Sequence, residues 1–77
     1  MRDIAAEAAL RHQMTVDGLK EKTRRRAVSW PRQEAMAEMK GAGFSHRQIA
    51  RFFGFDNHTS SVRACRAVAA RYQQAID

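Results

Sequence analysis

Residues 44–66, FSHRQIARFFGFDNHTSSVRACR, constrain the fold more than any other stretch, because they predict two helices joined by a tight turn. Ser45 and Gln48 have the spacing of a capping box, in which two side chains cap one helix start. The apolar residues that follow recur at helical spacing: Ile49, Phe52 and Phe53. Gly54 comes next, and a glycine commonly ends a helix. The first helix of the pair is therefore predicted to begin at Ser45 and stop at Gly54.

The second helix of the pair is predicted to begin near Asp56 and Asn57, whose side chains can accept hydrogen bonds from its free N–H groups. Its apolar residues form one stripe at steps of three and four: Val62, Cys65, Ala69, Tyr72 and Ile76. The polar first turn, residues 57–60, would point away from that stripe. A short-linked helix pair with a polar second N-terminus is typical of a DNA-reading helix-turn-helix, the alternative being an ordinary helical hairpin.

The rest of the chain also predicts helices, so the expected fold is all-α, with about five helices in a single domain over residues 1–77. Residues 2–14 predict a first helix, followed by a turn at 15–19 with at most one short helical turn. Pro31 suits the first position of a helix that begins at 29–31 and ends at 41–43. The predicted core comprises Ile4, Leu10, Met14, Val16, Leu19, Met36, Ile49, Phe53, Val62, Cys65 and Ala69.

Composition fits a helical protein of a reducing compartment. The 77 residues include only 4 Gly and 1 Pro, and the single Cys cannot form an internal disulfide. No apolar run approaches the roughly 18 residues of a membrane span. The N-terminal segment also lacks the apolar core of a signal peptide. We therefore expect a cytoplasmic, nucleoid-associated protein with no membrane partner.

Basic residues are in excess, with 14 Lys plus Arg against 8 Asp plus Glu, for a net charge of +6. Arginine, the main contributor, binds phosphates bidentately and can read guanine edges. The segment KEKTRRR, residues 20–26, is followed at once by apolar Ala27 and Val28, which would tether a cationic loop to the body of the domain. Such a loop can lie along phosphates or insert an Arg into a minor groove, the alternative being a solvated loop without a polyanion partner.

Catalytic and metal-binding patterns are absent from the sequence. The three His residues and Cys65 have no zinc-ligand spacing, and no nucleophile stands in a readable arrangement with a base. We therefore expect neither an enzyme nor a cofactor-binding or metal-binding protein.

Four segments of the chain resemble one known family, the C-terminal duplex-DNA-binding domain of the bacterial replication initiator DnaA. Residues 4–19, which include VDGL, look like the family's opening helix and the segment after it. The basic loop precedes Pro31-Arg32-Gln33 as the family's loop precedes its PRQ. SHRQIARFFG, residues 45–54, is similar to the family's S-L-P-E-I-G-x-x-F-G helix. Asn-His-Thr-Ser at 57–60 stands where the family has Asp-His-Thr-Thr, and an Ala-Cys-Arg run follows in both.

This resemblance implies a Trp-repressor-like helix-turn-helix whose recognition helix enters the major groove while the basic loop, through Arg24, enters the adjacent minor groove. The family binds short boxes at replication origins, and we expect this domain to be a monomer. The DNA-binding residues expected from spacing and resemblance together are Lys22, Arg24, Arg25, Arg26, Arg32, Gln33, His46, Arg47, Asn57, His58, Thr59, Ser60 and Arg63.

Several of these positions depart from the family's pattern. Asn57 and Ser60 replace the family's Asp and second Thr, Asp56 replaces its Arg, and His46-Arg47 replaces its Leu-Pro. These changes alter the groups that would contact bases, and with them the expected cognate box.

Because no ATPase segment is recognisable in the chain, we expect a stand-alone relative that acts by occupying double-stranded DNA, as a regulator of replication initiation or transcription. An excised domain of a divergent initiator is the alternative origin. Two other function classes remain open. One is an adaptor that binds a replication initiator protein without reading DNA, and the other, less favoured, is a basic segment that binds anionic membranes.

Overall fold

The computed structural model describes residues 1–23 and 25–76, with side chains described as far as Gln73. Within these ranges the chain forms five helices and no strand, which confirms the predicted all-α fold. The helices are α1 (Arg2–Arg11), α2 (Val16–Leu19), α3 (Arg26–Gly41), α4 (His46–Phe52) and α5 (Thr59–Ile76).

Helix α3 lies at the centre of the domain and contacts each of the other four helices, while α4 also packs against α5. The core lies where these helices meet. Its members are mostly alanines and larger aliphatic residues, with a single aromatic ring: Ala5, Ala8, Ala9, Leu19, Ala35, Met36, Met39, Ile49, Phe53 and Ala64. Of the predicted core, Leu19, Met36, Ile49 and Phe53 are confirmed as buried, and Ile4, Met14 and Val16 pack half-buried against this cluster.

The prediction that Leu10 lies in the core is wrong, since 79% of this residue is exposed. Helix α1 instead turns its alanines inward, with Ala5, Ala8 and Ala9 at most 2% exposed. Small side chains let α1 approach α3 closely, and Leu10 falls one position outside that face. The helix also ends at Arg11 rather than at residue 14, with the next-but-one residue, Gln13, at φ 56°.

The predicted stripe of α5 is wrong by about one residue. The buried positions are Ser61, Ala64 and Val68, whereas Ala69 is exposed and Tyr72 is 70% exposed. Val62 and Cys65 lie half-buried beside this face, and the side chain of Ile76 lies outside the described residues. A polar residue can occupy the buried face because the Ser61 hydroxyl lies 2.9 Å from Nδ1 of His46 on α4, which gives the hydroxyl a hydrogen-bond partner.

Helix α3 begins at Arg26, before the predicted start at 29–31, so Pro31 lies inside the helix and is buried. Proline has no N–H to donate to the carbonyl four residues earlier, at Ala27. The early start nevertheless forms, because the amides of Val28 and Ser29 bond to the carbonyl of Arg25 at 3.0 and 2.7 Å. The basic residues at 25 and 26 are consequently anchored to a helix end.

The ends of α4 follow the sequence prediction. Ser45 accepts from the amide of Gln48, and the Gln48 side chain accepts from the amide of Ser45, so both halves of the capping box are present. Gly54 then adopts φ +78°, a left-handed conformation that glycine reaches without a Cβ penalty. The predicted two-helix unit therefore exists, with its turn at residues 53–58.

Candidate nucleic-acid interface

The first turn of α5 is held by its own polar side chains. Oδ1 of Asn57 accepts from the Thr59 amide at 2.9 Å and from the Thr59 hydroxyl at 2.7 Å. The Ser60 hydroxyl donates to the carbonyl of Asn57 at 3.1 Å. This caps the helix as predicted, while Asp56 is exposed and makes no such bond in the described structure. Asn57 and His58 remain exposed and Thr59 and Ser60 half-buried, so the turn can be approached from outside.

A groove of about 860 Å³ lies between α4 and this turn. Arg47 and Arg51 line one side, one helical turn apart on α4, and Asn57 and His58 line the other. Arg47 is predicted from the sequence but Arg51 is not, although the four-residue spacing could have indicated that the two share a face. Asp56 also lines the groove and places one negative charge among these cations. The groove is nevertheless predominantly cationic, as a surface that receives phosphates requires.

Arg32, one of the predicted DNA-binding residues, points toward the protein's own basic loop, residues 20–26. Its guanidinium donates to the carbonyl of Glu21 and, at 3.1 Å, to the carbonyl of Thr23. The Thr23 hydroxyl in turn accepts from the amide of Arg25 at 3.3 Å. Arg32 is half-buried, and this burial lowers the pKa of its guanidinium. Arg32 therefore fixes the conformation of the loop backbone by bonding to two of its carbonyls.

The cations of the loop region rest on aromatic rings of the helix-turn-helix. Nζ of Lys20 lies 4.3 Å from the centre of the Phe52 ring, and Nζ of Lys22 lies 5.8 Å from that of Phe55. The Arg32 guanidinium also lies over Phe55, at 5.4 Å. Cations are attracted to ring faces at such distances. The basic loop and the turn before α5 are consequently neighbours, a proximity that residue spacing did not reveal.

The other two loop arginines within the described residues differ in surroundings. Arg25 is exposed, and the Arg26 guanidinium lies 5.1 Å from the centre of the exposed Trp30 ring. Arg24, the predicted minor-groove residue, lies outside the described residues.

Gln33 is directed toward α5, where its Oε1 accepts from Arg71 at 2.8 Å. The same Arg71 lies 4.3 Å from the centre of the Trp30 ring. Trp30, which is 40% exposed, therefore contacts two arginines. Arg63, also predicted to bind DNA, is exposed on α5.

His46 is a predicted DNA-binding residue that the structure ties to the core, through its contact with buried Ser61. Burial lowers its pKa, and the positive charges of Lys40 and of a protonated His58 lower it further. The folded protein therefore favours the neutral imidazole, which can bond to the serine hydroxyl.

We expect stability to fall in acid partly through His46. Because its pKa is lower in the folded state than the ordinary value of 6.5, the unfolded chain binds the proton more readily. The contribution of His46 is complete above that ordinary value and is lost as the pH falls through the lower, folded-state pKa. The melting temperature should drop from about pH 7 to about pH 5 by more in the parent than in His46→Gln, whose amide can still bond Ser61. Equal drops in the two proteins would contradict the assignment.

The thiol of Cys65, which lies on α5 outside the groove, is half-buried. Burial raises the pKa of the Cys65 thiol, which disfavours the nucleophilic thiolate, although the nearby Lys40 acts in the opposite direction. No three His, Cys, Asp or Glu side chains gather closely enough there to hold a metal ion.

Comparison with protein families gives a match over most of the chain. The model for the bacterial DnaA protein helix-turn-helix matches residues 1–68, which include the basic loop, α4 and the first turn of α5. Comparisons with curated proteins and with solved structures gave no match.

Proposed function

Since this chain belongs to the family of bacterial DnaA helix-turn-helix domains, which bind double-stranded DNA, we propose that it reads a specific duplex sequence with two elements at once. The first turn of α5 would enter the major groove, and the basic loop would lie in the adjacent minor groove. The sites would resemble DnaA boxes, with the departures at Asp56, Asn57 and Ser60 altering the preferred bases.

One observation carries this proposal. The basic loop and the first turn of α5, which are far apart in sequence, are brought to neighbouring positions through Phe55. This residue carries Lys22 and Arg32 on its ring and precedes the cap of α5 by only two positions. A protein that follows a duplex across adjacent grooves needs its two DNA-binding elements side by side.

The chemistry of the two elements differs. The exposed arginines at 25, 47 and 51 would contact phosphates and release condensed counterions, which supplies affinity for any duplex. The side chains at 57–60 would face base edges. Asn57 already uses both lone pairs of Oδ1 within the cap, so it would offer its amide N–H₂ as a donor to N7 of either purine, to O6 of guanine or to O4 of thymine. The Thr59 methyl group suits a thymine methyl.

The biological output would be occupancy of a site and not catalysis. A monomer bound at an origin or promoter could block or assist a replication initiator or a polymerase. An adaptor that binds a replication initiator protein without reading DNA remains the alternative function.

In the described chain, no helix is both long and apolar enough to cross a membrane.

Selection of binding sites from a pool of random duplexes tests the proposal directly. We expect one enriched sequence, and an affinity for a duplex of about 20 base pairs that falls steeply as salt is raised. Absence of enrichment together with absence of low-salt duplex binding would contradict it and favour the adaptor.

The side chains at 58 and 59 should separate sequence reading from charge attraction. Each of His58→Ala and Thr59→Ala should weaken binding to the selected site by about 1–3 kcal/mol where the side chain meets a specific base, and should leave random-duplex binding nearly unchanged. Competition titrations with the selected and the random duplex measure the ratio of specific to random-duplex affinity.

Two further variants serve as controls for this prediction. Thr59→Ser keeps the hydroxyl that bonds Asn57 and removes only the methyl group, so it isolates the contact to thymine. Gln73→Ala changes an exposed residue near the other end of α5 and should alter neither affinity. Full retention of the specific-to-random ratio in both alanine variants at 58 and 59 would show that this turn does not read bases.

A further inference from the structure

Two half-buried phenylalanines at the end of α4 and in the following turn hold cations that belong to a different part of the chain. Phe52 carries Lys20, and Phe55 carries both Lys22 and Arg32. Lys20 and Lys22 belong to the basic loop and Arg32 to α3. Core packing accounts for the apolar neighbours of these rings, but not for cations that the basic loop and α3 place over them.

Phe55 and Arg32 form a continuous link between the basic loop and the turn. Arg32 donates hydrogen bonds to two loop carbonyls while its guanidinium lies over the Phe55 ring. The Phe55 amide bonds to the carbonyl of Ala50 at 2.9 Å, which fixes the turn to α4. Two residues later, Asn57 caps α5. Movement of the loop away from the turn would therefore take Lys22 off this ring and break the hydrogen bonds from Arg32 to the loop.

We propose that Phe55, together with Arg32, is a positioning residue that sets the distance between the basic loop and the first turn of α5. The two elements then bind one DNA site as a preformed unit. This inference rests on the proposed function, and it names what determines the geometry of that bipartite site. A loop held in place before binding loses less freedom when it enters the groove, so the preformed arrangement favours the site whose two halves have the matching separation.

Phe55→Leu keeps an apolar side chain of similar size and removes the ring face. Because Lys22 and Arg32 would then have no aromatic face to rest on, we expect binding to the selected site to weaken by roughly 5- to 30-fold. Random-duplex binding should change much less, because it does not depend on a fixed separation of the two elements. Phe55→Tyr restores a ring and should recover affinity. Phe44→Leu is the matched control, since Phe44 is half-buried against the same core and has no cation over its ring in the described structure.

A double-mutant cycle shows whether Phe55 acts through the loop. In a background with Arg24, Arg25 and Arg26 changed to Ala, Phe55→Leu should weaken binding little further. Equal losses of affinity in the two backgrounds would mean that Phe55 contacts DNA by itself or merely supports the fold, and would overturn the proposal. So would an unchanged affinity of Phe55→Leu when the parent selects a site.

Hydrogen exchange of the free protein provides a readout that needs no DNA. The amides of Thr23 and Arg25 bond within the loop, to the Glu21 carbonyl at 2.9 Å and to the Thr23 hydroxyl at 3.3 Å. These two amides should exchange faster in Phe55→Leu than in the parent, but not in Phe44→Leu. The comparison is made at temperatures equally far below the melting temperature of each protein, so that differences in global stability do not contribute. Unchanged exchange would overturn the positioning role even where DNA binding is intact. A parent that binds no duplex would instead overturn the proposed function, and this inference with it.

Discussion

Replacing Phe53 by Ala should lower the free energy of unfolding by about 3–5 kcal/mol, because the ring is deeply buried and its removal leaves a cavity. Phe53 is 1% exposed and meets Phe52 edge to face, with ring centres 5.1 Å apart. It also ends α4, so the substitution would loosen the packing that places the turn. Small domains have only about 5–15 kcal/mol of stability in total, so the variant should be close to unfolding. Chemical denaturation followed by circular dichroism measures this change.

Leu10→Ala is the informative control for that measurement. Sequence periodicity places Leu10 in the core, whereas its exposure of 79% indicates a change within about 0.5 kcal/mol. A Phe53→Ala protein that unfolds like its parent would show that α4 is placed incorrectly.

Replacing Arg24, Arg25 and Arg26 together by Ala should weaken binding to every duplex, whatever its sequence. Each phosphate that the protein no longer neutralises should make the slope of log affinity against log salt shallower by about 0.9, so three phosphates would change it by about 2.7. Titrations of the selected and random duplexes over a series of salt concentrations give this slope. The decrease in affinity should therefore be largest at low salt and shrink as salt is raised.

Arg11→Ala is the control for the loop variant, because Arg11 pairs with Glu38 on the α1–α3 side of the domain. It should leave the slope unchanged. A slope unaltered by the triple substitution would assign the loop no part in duplex binding.

The parts of the fold that could be predicted from sequence are those determined by neighbouring residues. The capping box of Ser45 and Gln48 needs only side chains three positions apart, and Gly54 ends α4 through its own backbone freedom. The same holds for Asn57, which caps α5 from two residues away. The prediction of a helix pair with an exposed polar turn succeeded for this reason.

The parts that failed depend on interactions between distant segments. Ser61 is buried because His46, fifteen positions earlier, bonds to its hydroxyl, and no periodicity of apolar residues could indicate that. In an alanine-rich helix, Ala64 and Ala69 are equivalent by hydropathy, so the true face of α5 was not distinguished from its neighbour. Spacing along the chain also did not indicate that the guanidinium of Arg32 bonds to loop carbonyls nine and eleven positions away, and its role in DNA binding stays a prediction.

The cap at Asn57 restricts how this protein could acquire a different DNA target. Oδ1 of Asn57 accepts two hydrogen bonds from Thr59 in the first turn of α5, so a replacement at this position must still supply an acceptor to that turn. Asp, Ser and Thr also supply a side-chain acceptor at helix starts. Substitutions at position 57 that keep both cap bonds are therefore few. On the proposed mode of binding, larger changes of target preference would come from His58, Arg47 or Arg51, whose exposed side chains make no cap bond in the described structure.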